Sequence, residues 1–233
     1  NQNFVIPPDF VNSKSFNVAQ KLQDNIDAIK VLISLKNEKR RATYEEQKTL
    51  FKYVGWGGIK EIGFNPASNF GWTSSNLSLR AKIQEALDVL KELDEDNFKA
   101  NLDAVKRSTQ NAHYTAIPVI RGIYNVLRDA GFKGGNILEA SAGIGNFVGA
   151  MPADISQNSK ITAIELENIT GQILKALYPN ISSKIAGYQD VAIPAGTVDL
   201  SISNIPFGKV SVTDVNFEKG KDQTLKQSQK TVH

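Results

Sequence analysis

Apolar residues recur at a helical interval through the first half of the chain and in short unbroken runs through the second. Val18, Leu22, Ile26, Ile29 and Ile33 predict an amphipathic helix from Asn17 to about Arg41. Lys36, Lys39, Arg40 and Arg41 at its end suit the negative pole of a helix dipole. Thr43 with Glu46 three positions on is a capping-box pattern, opening a second helix that reaches about Tyr53. The periodicity then breaks at Val54-Gly55-Trp56-Gly57-Gly58-Ile59, where three glycines around a tryptophan require a tight backbone path. Such an elbow either seats Trp56 in a core or lines a cleft. A turn-rich stretch with Pro66, Gly71 and Trp72 follows. Helical spacing returns at Leu79, Ile83, Leu87, Leu90 and Leu93, and more weakly at Phe98, Leu102 and Val105. A further helix from about Pro118 to Ala130 carries Ile120, Ile123, Tyr124 and Leu127 as its stripe, with Pro118 in its first turn and Gly131 at its cap. Residues 1–12, with Pro7-Pro8-Asp9, read as an extended lead-in.

The period changes after residue 135. Asn136–Glu139 and Lys160–Glu165 read as short buried strands separated by a glycine turn and a short helix. A helix over about Asn168–Leu177, a strand near Ile185 and a strand over Thr197–Ser203 complete the series. Strands alternating with helices predict βαβ units and a parallel sheet, hence an α/β region at 111–233 behind a helical region at 1–110.

Composition narrows the function classes. A hydrophobic fraction of 41% against 22% charged residues fits a globular chain and argues against wholesale disorder. The absence of Cys excludes disulfides, thiolate metal sites and cysteine nucleophiles, and suits a reducing cytoplasm. No apolar run approaches the length of a membrane span. His113 and His233 are too few and too far apart for a metal site or a histidine-based triad, so no metal is expected. A net charge of +3 permits nucleic-acid contact without pointing to it. The chain opens on Asn1 and has its single Met at position 151, so it is expected to be a piece of a longer product.

Two stretches carry chemistry. Glu139 ends a strand, and Gly143 and Gly145 follow in a Gly-x-Gly turn before a helix, a geometry that sets a ligand at the carboxyl edge of a parallel sheet. A dinucleotide fingerprint would want its third glycine one place before Gly149, which weakens a nicotinamide reading. Glu165 ends the next strand, where a carboxylate can accept hydrogen bonds from ribose hydroxyls. Asp190 lies beyond the third strand, where it can accept one from an adenine amino group. The second stretch is Ser203-Asn204-Ile205-Pro206-Phe207-Gly208, at the exit of the fourth strand. An Asn oxygen beside a backbone carbonyl can accept both hydrogens of one amino group. Pro206 stiffens the turn and Phe207 offers a face for stacking a base. Asn-x-Pro is also an ordinary turn, so this stretch alone leaves both readings open.

Taken together, these residues resemble the amino-group (adenine-type) DNA methyltransferases. More narrowly the chain resembles the methylase region of large methyltransferase–helicase proteins of bacterial mobile elements and phages. Tyr53-Val54-Gly55-Trp56-Gly57-Gly58, Ala112-His113-Tyr114-Thr115 and Leu138–Phe147 carry that narrower likeness. The resemblance implies a Rossmann-like S-adenosylmethionine methyltransferase sheet, truncated after about the fourth strand and preceded by an all-helical N-terminal region. It implies that Tyr114 and Thr115 are an upstream cofactor-contacting segment, and that Glu139, Ser141, Gly143, Gly145 and Phe147 belong to the cofactor loop. Glu165 and Asp190 resemble the ribose- and adenine-binding acids; Asn204, Pro206 and Phe207 resemble the catalytic clamp around a flipped adenine. Ala140 and Ile205 replace the common prolines, and neither change removes a hydrogen-bonding side chain. The implied function is methyl transfer from S-adenosylmethionine to adenine in DNA, in a restriction-modification context, with a fused or associated helicase region as a partner and no membrane. A protein glutamine methyltransferase and a non-catalytic DNA-binding or scaffold module with a vestigial pocket are the alternatives.

Overall fold

The first helix, α1 (Val18–Glu38), starts where the Asn17 side chain accepts a hydrogen bond from the Gln20 N–H at 3.1 Å, and stops at Lys39, whose φ of 51° leaves the helical region. Leu22, Ile26, Ile29 and Ile33 all face inward, as their spacing predicts. The capping box of α2 (Tyr44–Phe51) is formed: the Glu46 N–H donates to Thr43 Oγ1 at 3.3 Å and the Thr43 N–H to Glu46 Oε2 at 2.8 Å. After a 3₁₀ turn at Lys60–Gly63 come α3 (Arg80–Leu93), packed on α1, then α4 (Phe98–Ser108) and α5 (Ile117–Asp129). The computed structural model describes residues 2–12, 17–109 and 115–205 of this chain.

The glycine elbow is a core feature. Trp56 is 1% exposed, and Asn25, itself fully buried on α1, holds the backbone around it. Its Nδ2 donates to the Gly55 carbonyl at 2.8 Å and its Oδ1 accepts from the Val54 N–H at 3.1 Å. One side chain therefore satisfies a buried donor and a buried acceptor of an irregular segment, which secondary structure would otherwise have to do.

Four strands make one parallel sheet: β1 (Asn136–Glu139), β2 (Lys160–Glu165), β3 (Ser182–Ile185) and β4 (Leu200–Ser201), in the order β3-β2-β1-β4. With β1 flanked by β2 on one side and β4 on the other, this is the α/β, Rossmann-like arrangement expected. Short helices α6 (Asn146–Gly149) and α7 (Ala153–Ser156) connect β1 to β2, and α8 (Asn168–Leu177) connects β2 to β3 while packing on both. The fourth strand is shorter than Thr197–Ser203 because Thr197 turns back, its hydroxyl donating to the Pro194 carbonyl at 2.7 Å. Bonding to β1 nonetheless spans 199–202, through Asp199 N–H to the Asn136 carbonyl and Ile202 N–H to the Leu138 carbonyl, both at 2.9 Å.

Buried side chains from Phe4 to Ile202 form one contiguous cluster. The lead-in is part of it. Phe4 and Ile6 are 2% and 3% exposed, and their N–H groups donate to the carbonyls of Leu177 (2.8 Å) and Gly149 (2.9 Å). Asn12 Oδ1 accepts from the Ile117 N–H at 2.7 Å, capping α5 from 105 residues away, and Arg121 on α5 donates to the carbonyls of Phe10 and Pro7. Each of the two apolar side chains is worth about 1.5–3 kcal/mol of burial.

Asn25→Ala leaves the Val54 N–H and Gly55 carbonyl unpaired inside the core. A loss of about 1–3 kcal/mol per orphaned group is expected, read as a lower urea midpoint with an unchanged slope. A midpoint equal to that of the unmodified chain would show that the elbow is held by something else.

Candidate active site at the carboxyl edge of the sheet

In open α/β sheets ligands sit outside the carboxyl ends of the strands, at the point where neighbouring strands lead their connections opposite ways. Here that point lies between β1 and β4. The glycine turn leaves β1 there and Asn204 leaves β4 there, so the two stretches singled out in sequence stand on adjacent strands.

Backbone hydrogen bonds hold the turn on both sides. Gly143 (φ 57°) and Gly145 (φ 85°) both occupy the left-handed region that disfavours a side chain. The Ala142 N–H donates to the Ile164 carbonyl on β2 at 2.9 Å. The Gly143 N–H donates to Glu165 Oε2 at 2.8 Å, while Glu165 Oε1 accepts from the Glu167 N–H at 2.8 Å. Towards β4, the Ser141 N–H donates to Ser203 Oγ at 3.1 Å. Burial pushes the Glu165 carboxyl above its ordinary value, against the pull of the Glu167 and Gly143 N–H donors. Three backbone N–H groups thus face its two oxygens, those of Gly143, Leu166 and Glu167, and lone-pair capacity remains.

Asp190 lies exposed on a 3₁₀ turn (Tyr188–Asp190) beyond β3, with Gln189 Nε2 donating to its Oδ2 at 3.3 Å. Asn204 is half-buried, and Thr115 is half-buried just before α5. Tyr114, Pro206 and Phe207 lie outside the described residues.

Glu139 and Phe147 face inward. Phe147 is 5% exposed within the core cluster, and its carbonyl accepts from the Tyr124 hydroxyl at 2.9 Å. Glu139 is 2% exposed and its Oε2 has no hydrogen-bond partner. Burial, and secondarily the Glu165 charge, push its carboxyl well above the usual range, which favours the protonated form. Tyr124 and Tyr178 are pushed up as well, by burial first and then by Glu139.

Sequence reasoning gave no role to Ser203, whose hydroxyl ties the two stretches together, or to three apolar residues on the rim. Leu166, Tyr188 and Ile205 are 74%, 52% and 69% exposed, just beyond the ends of β2, β3 and β4. The available signal was their position: each adjoins, or lies two places from, a candidate polar residue at a strand exit. Acceptors at Glu165, Asp190 and Asn204 with apolar side chains between them suit a ligand that is part sugar and part flat ring. A separate depression of about 830 Å³ runs along the sheet face bearing Asn136, Thr162, Ser182 and Lys184, and none of the candidate residues lines it. Among the described residues no cluster of His, Cys, Asp or Glu is arranged to hold a metal ion, and no helix is long and apolar enough to cross a membrane.

No protein-family model matches the chain. Over 98 residues, 41% of its length, the chain is 32% identical to the "Defense against restriction protein B" of Escherichia phage P1, of which the match spans 4%. Among solved structures it is similar to a putative class I S-adenosylmethionine-dependent methyltransferase of Listeria monocytogenes, at 16% identity and a TM-score of 0.36 over 82% of this chain and 59% of that one. It is also similar to a type I restriction-modification methyltransferase subunit of Streptococcus thermophilus, at 11% identity and a TM-score of 0.40 over 88% and 60%. The chain thus spans less than two thirds of either solved structure and a small fraction of the phage protein.

The raised Glu139 carboxyl gives a signed pH dependence. The folded chain keeps this proton above the ordinary carboxylate value of 4.5, where the unfolded chain loses it. The native state therefore binds more protons there, and stability falls as pH rises from that value. Glu165, raised in the same direction, adds to the slope. Thermal midpoints should fall as pH rises above that value. Glu139→Gln should flatten that fall and melt higher at the alkaline end; identical slopes for the two proteins would refute a buried, protonated Glu139.

Proposed function

We propose that the chain binds S-adenosylmethionine at the carboxyl edge and that Asn204 presents the exocyclic amino group of a flipped-out adenine in DNA for methylation. The observation that carries this reading is the double tether of the glycine turn, to Glu165 on β2 and to Ser203 beside Asn204. It supports a reading in which a nucleoside-binding edge and the Asn204 amide serve one crevice.

The residues fit the cofactor. Glu165 has lone pairs left for ribose hydroxyls, Asp190 stands exposed where an adenine amino group needs an acceptor, and Leu166 and Tyr188 offer apolar walls for the ring. Gly143 and Gly145 let the backbone approach without side chains. When bound, S-adenosylmethionine supplies an electrophilic methyl group on a sulfonium. The work of the chain is positional. The Asn204 side-chain oxygen accepts a hydrogen bond from the target amino group, which keeps the nitrogen lone pair directed away from the acceptor. Pro206 and Phe207 complete the clamp by resemblance, the ring stacking on a base that duplex geometry would otherwise hide. Tyr114 and Thr115 belong to the cofactor side of the site, Ser141 to the turn.

DNA as the substrate draws support from the partial match to a phage protein named for defense against restriction, since methylated adenine is a mark that alters DNA without altering its sequence. On this reading residues 111–233 hold the cofactor and the catalytic motif, and the helical region 1–110 packs behind them. A cytoplasmic setting and a fused or associated helicase region on a mobile element belong to the same proposal.

Titration calorimetry should give a saturable heat with S-adenosylmethionine and none with NAD; a folded chain silent to S-adenosylmethionine overturns the reading. Glu165→Ala should weaken that affinity at least about tenfold. Asn204→Ala should leave it nearly unchanged while transfer of tritiated methyl to adenine-containing DNA drops by about 100-fold or more. Unchanged transfer would remove Asn204 from the catalytic role.

A further inference from the structure

Between the 3₁₀ turn at Lys60–Gly63 and α3, residues 64–79 contain no charged side chain but eight Ser, Thr and Asn residues. The segment is tightly specified. Trp72 Nε1 donates to the Asn65 carbonyl at 3.1 Å, and the Trp72 ring meets Phe64 edge-on, with centroids 5.4 Å apart. Asn65 Oδ1 accepts from the Ala67 N–H at 2.9 Å, Ser68 Oγ from the Phe70 N–H at 3.1 Å, and Asn76 Oδ1 from the Thr73 N–H at 2.8 Å. Arg80 closes the base: its Nε donates to the Pro66 carbonyl at 2.5 Å and its guanidinium lies 5.9 Å from the centre of the Trp72 ring. Gly71, with φ 86°, allows the reversal at the crest.

This frame holds up Phe70, which is 89% exposed, more than any other large hydrophobic residue described. Trp72 and Phe64 anchor the loop, and Phe70 contributes nothing to that anchor. An aromatic ring held in water by a network of local hydrogen bonds is poised for a partner that covers it.

The loop's chemistry indicates which partner. No carboxylate lies in residues 64–79; the nearest, Glu61, is 7% exposed, whereas Lys60, Arg80 and Lys82 flank the segment. Hydroxyl and amide side chains beside cations are the groups that contact DNA phosphates and sugars, and a single apolar ring is the kind of wedge that enters between base steps. Position agrees with this. The 3₁₀ turn at Lys60–Gly63 that precedes the loop packs on α4, and Asn168, the first residue of α8 and so beyond the carboxyl end of β2, donates through Nδ2 to Asn101 of α4 at 3.3 Å. The turn that precedes the loop thus packs on a helix that reaches the carboxyl end of β2.

We infer that residues 64–79 form a duplex-DNA contact loop in which Phe70 inserts between adjacent base pairs. The inference rests on the reading of DNA as the substrate but concerns a different surface and a different step. Insertion unstacks one step of the duplex, which lowers the barrier to rotating a neighbouring base out.

The test uses the 233-residue chain and a fluorescein-labelled duplex with 2-aminopurine near its centre. Addition of the chain should raise 2-aminopurine emission as the step unstacks, and anisotropy should report binding that weakens with salt. Phe70→Ala should abolish the emission rise and weaken binding about 10- to 100-fold, Phe70→Trp should restore both, and neither should change the thermal midpoint or the affinity for S-adenosylmethionine. Equal binding and emission for Phe70→Ala would overturn the wedge and leave the loop as a surface for a protein. A chain that binds S-adenosylmethionine but no duplex overturns it too, with the cofactor reading intact. Phe70-dependent duplex binding without any S-adenosylmethionine affinity upholds the wedge while the catalytic reading falls.

Discussion

β1 has a hydrogen-bonded neighbour on each side, β2 and β4, and both run parallel to it. Everything at the candidate site follows from that. Parallel neighbours deliver their carboxyl ends to one edge, so the turn after β1, the acid that ends β2 and the Asn after β4 converge although 65 positions separate Glu139 from Asn204. An antiparallel β4 would have sent Asn204 to the opposite edge with no change in its local sequence. The bonds from Ser141 to Ser203 and from Gly143 to Glu165 then fix a spacing that the ladder has made possible. They are few, but both draw on backbone N–H groups in a turn that has no ladder of its own.

The interior behind this edge is unusual in its polar content. Asn25 is buried and fully used, and the result is a fixed elbow at Gly55. Glu139 and Tyr178 are buried with polar atoms that find no partner. They lie around the glycine turn: the position a Cβ on Gly145 would occupy is 2.5 Å from the Tyr178 ring. The turn thus rests directly on an aromatic floor, and any side chain at Gly145 would have to displace it. Among the described residues no cation faces Glu139 to offset its loss of water, so burial favours its neutral form.

The helices were legible because each signal was local. Thr43 and Glu46 announce a cap, Pro118 a first turn and Gly131 an end, and all three are where the periodicity sets them. That the sheet is parallel followed from the alternation of strands with helices. What escaped was anything decided by distant partners. Residues 2–12 have no period of their own, so nothing announced that Phe4 and Ile6 would be buried against Leu177 and Gly149. Glu139 and Phe147 sit in a motif whose spacing says nothing about which way each side chain points, and both turn inward. The exposure of Leu166, Tyr188 and Ile205 likewise depends on the edge they rim. Asn204 was legible as a candidate, while the Ser203 hydroxyl that sets its neighbourhood was not.

The lead-in has a consequence for how the chain comes to be folded. Its contacts reach across the sequence, Phe4 to Leu177, Ile6 to Gly149 and Asn12 to Ile117. Residues 4–12 are thus synthesised before their partners and find their places late, since their acceptors do not exist until α8 has formed and the sheet has begun to close. Contacts of such separation slow folding and leave apolar side chains uncovered meanwhile. The helices α1 and α2 can form early from local signals, but Phe4 and Ile6 must wait in solvent. The segment acts as a latch, drawn shut only when both halves of the polypeptide are present to receive it.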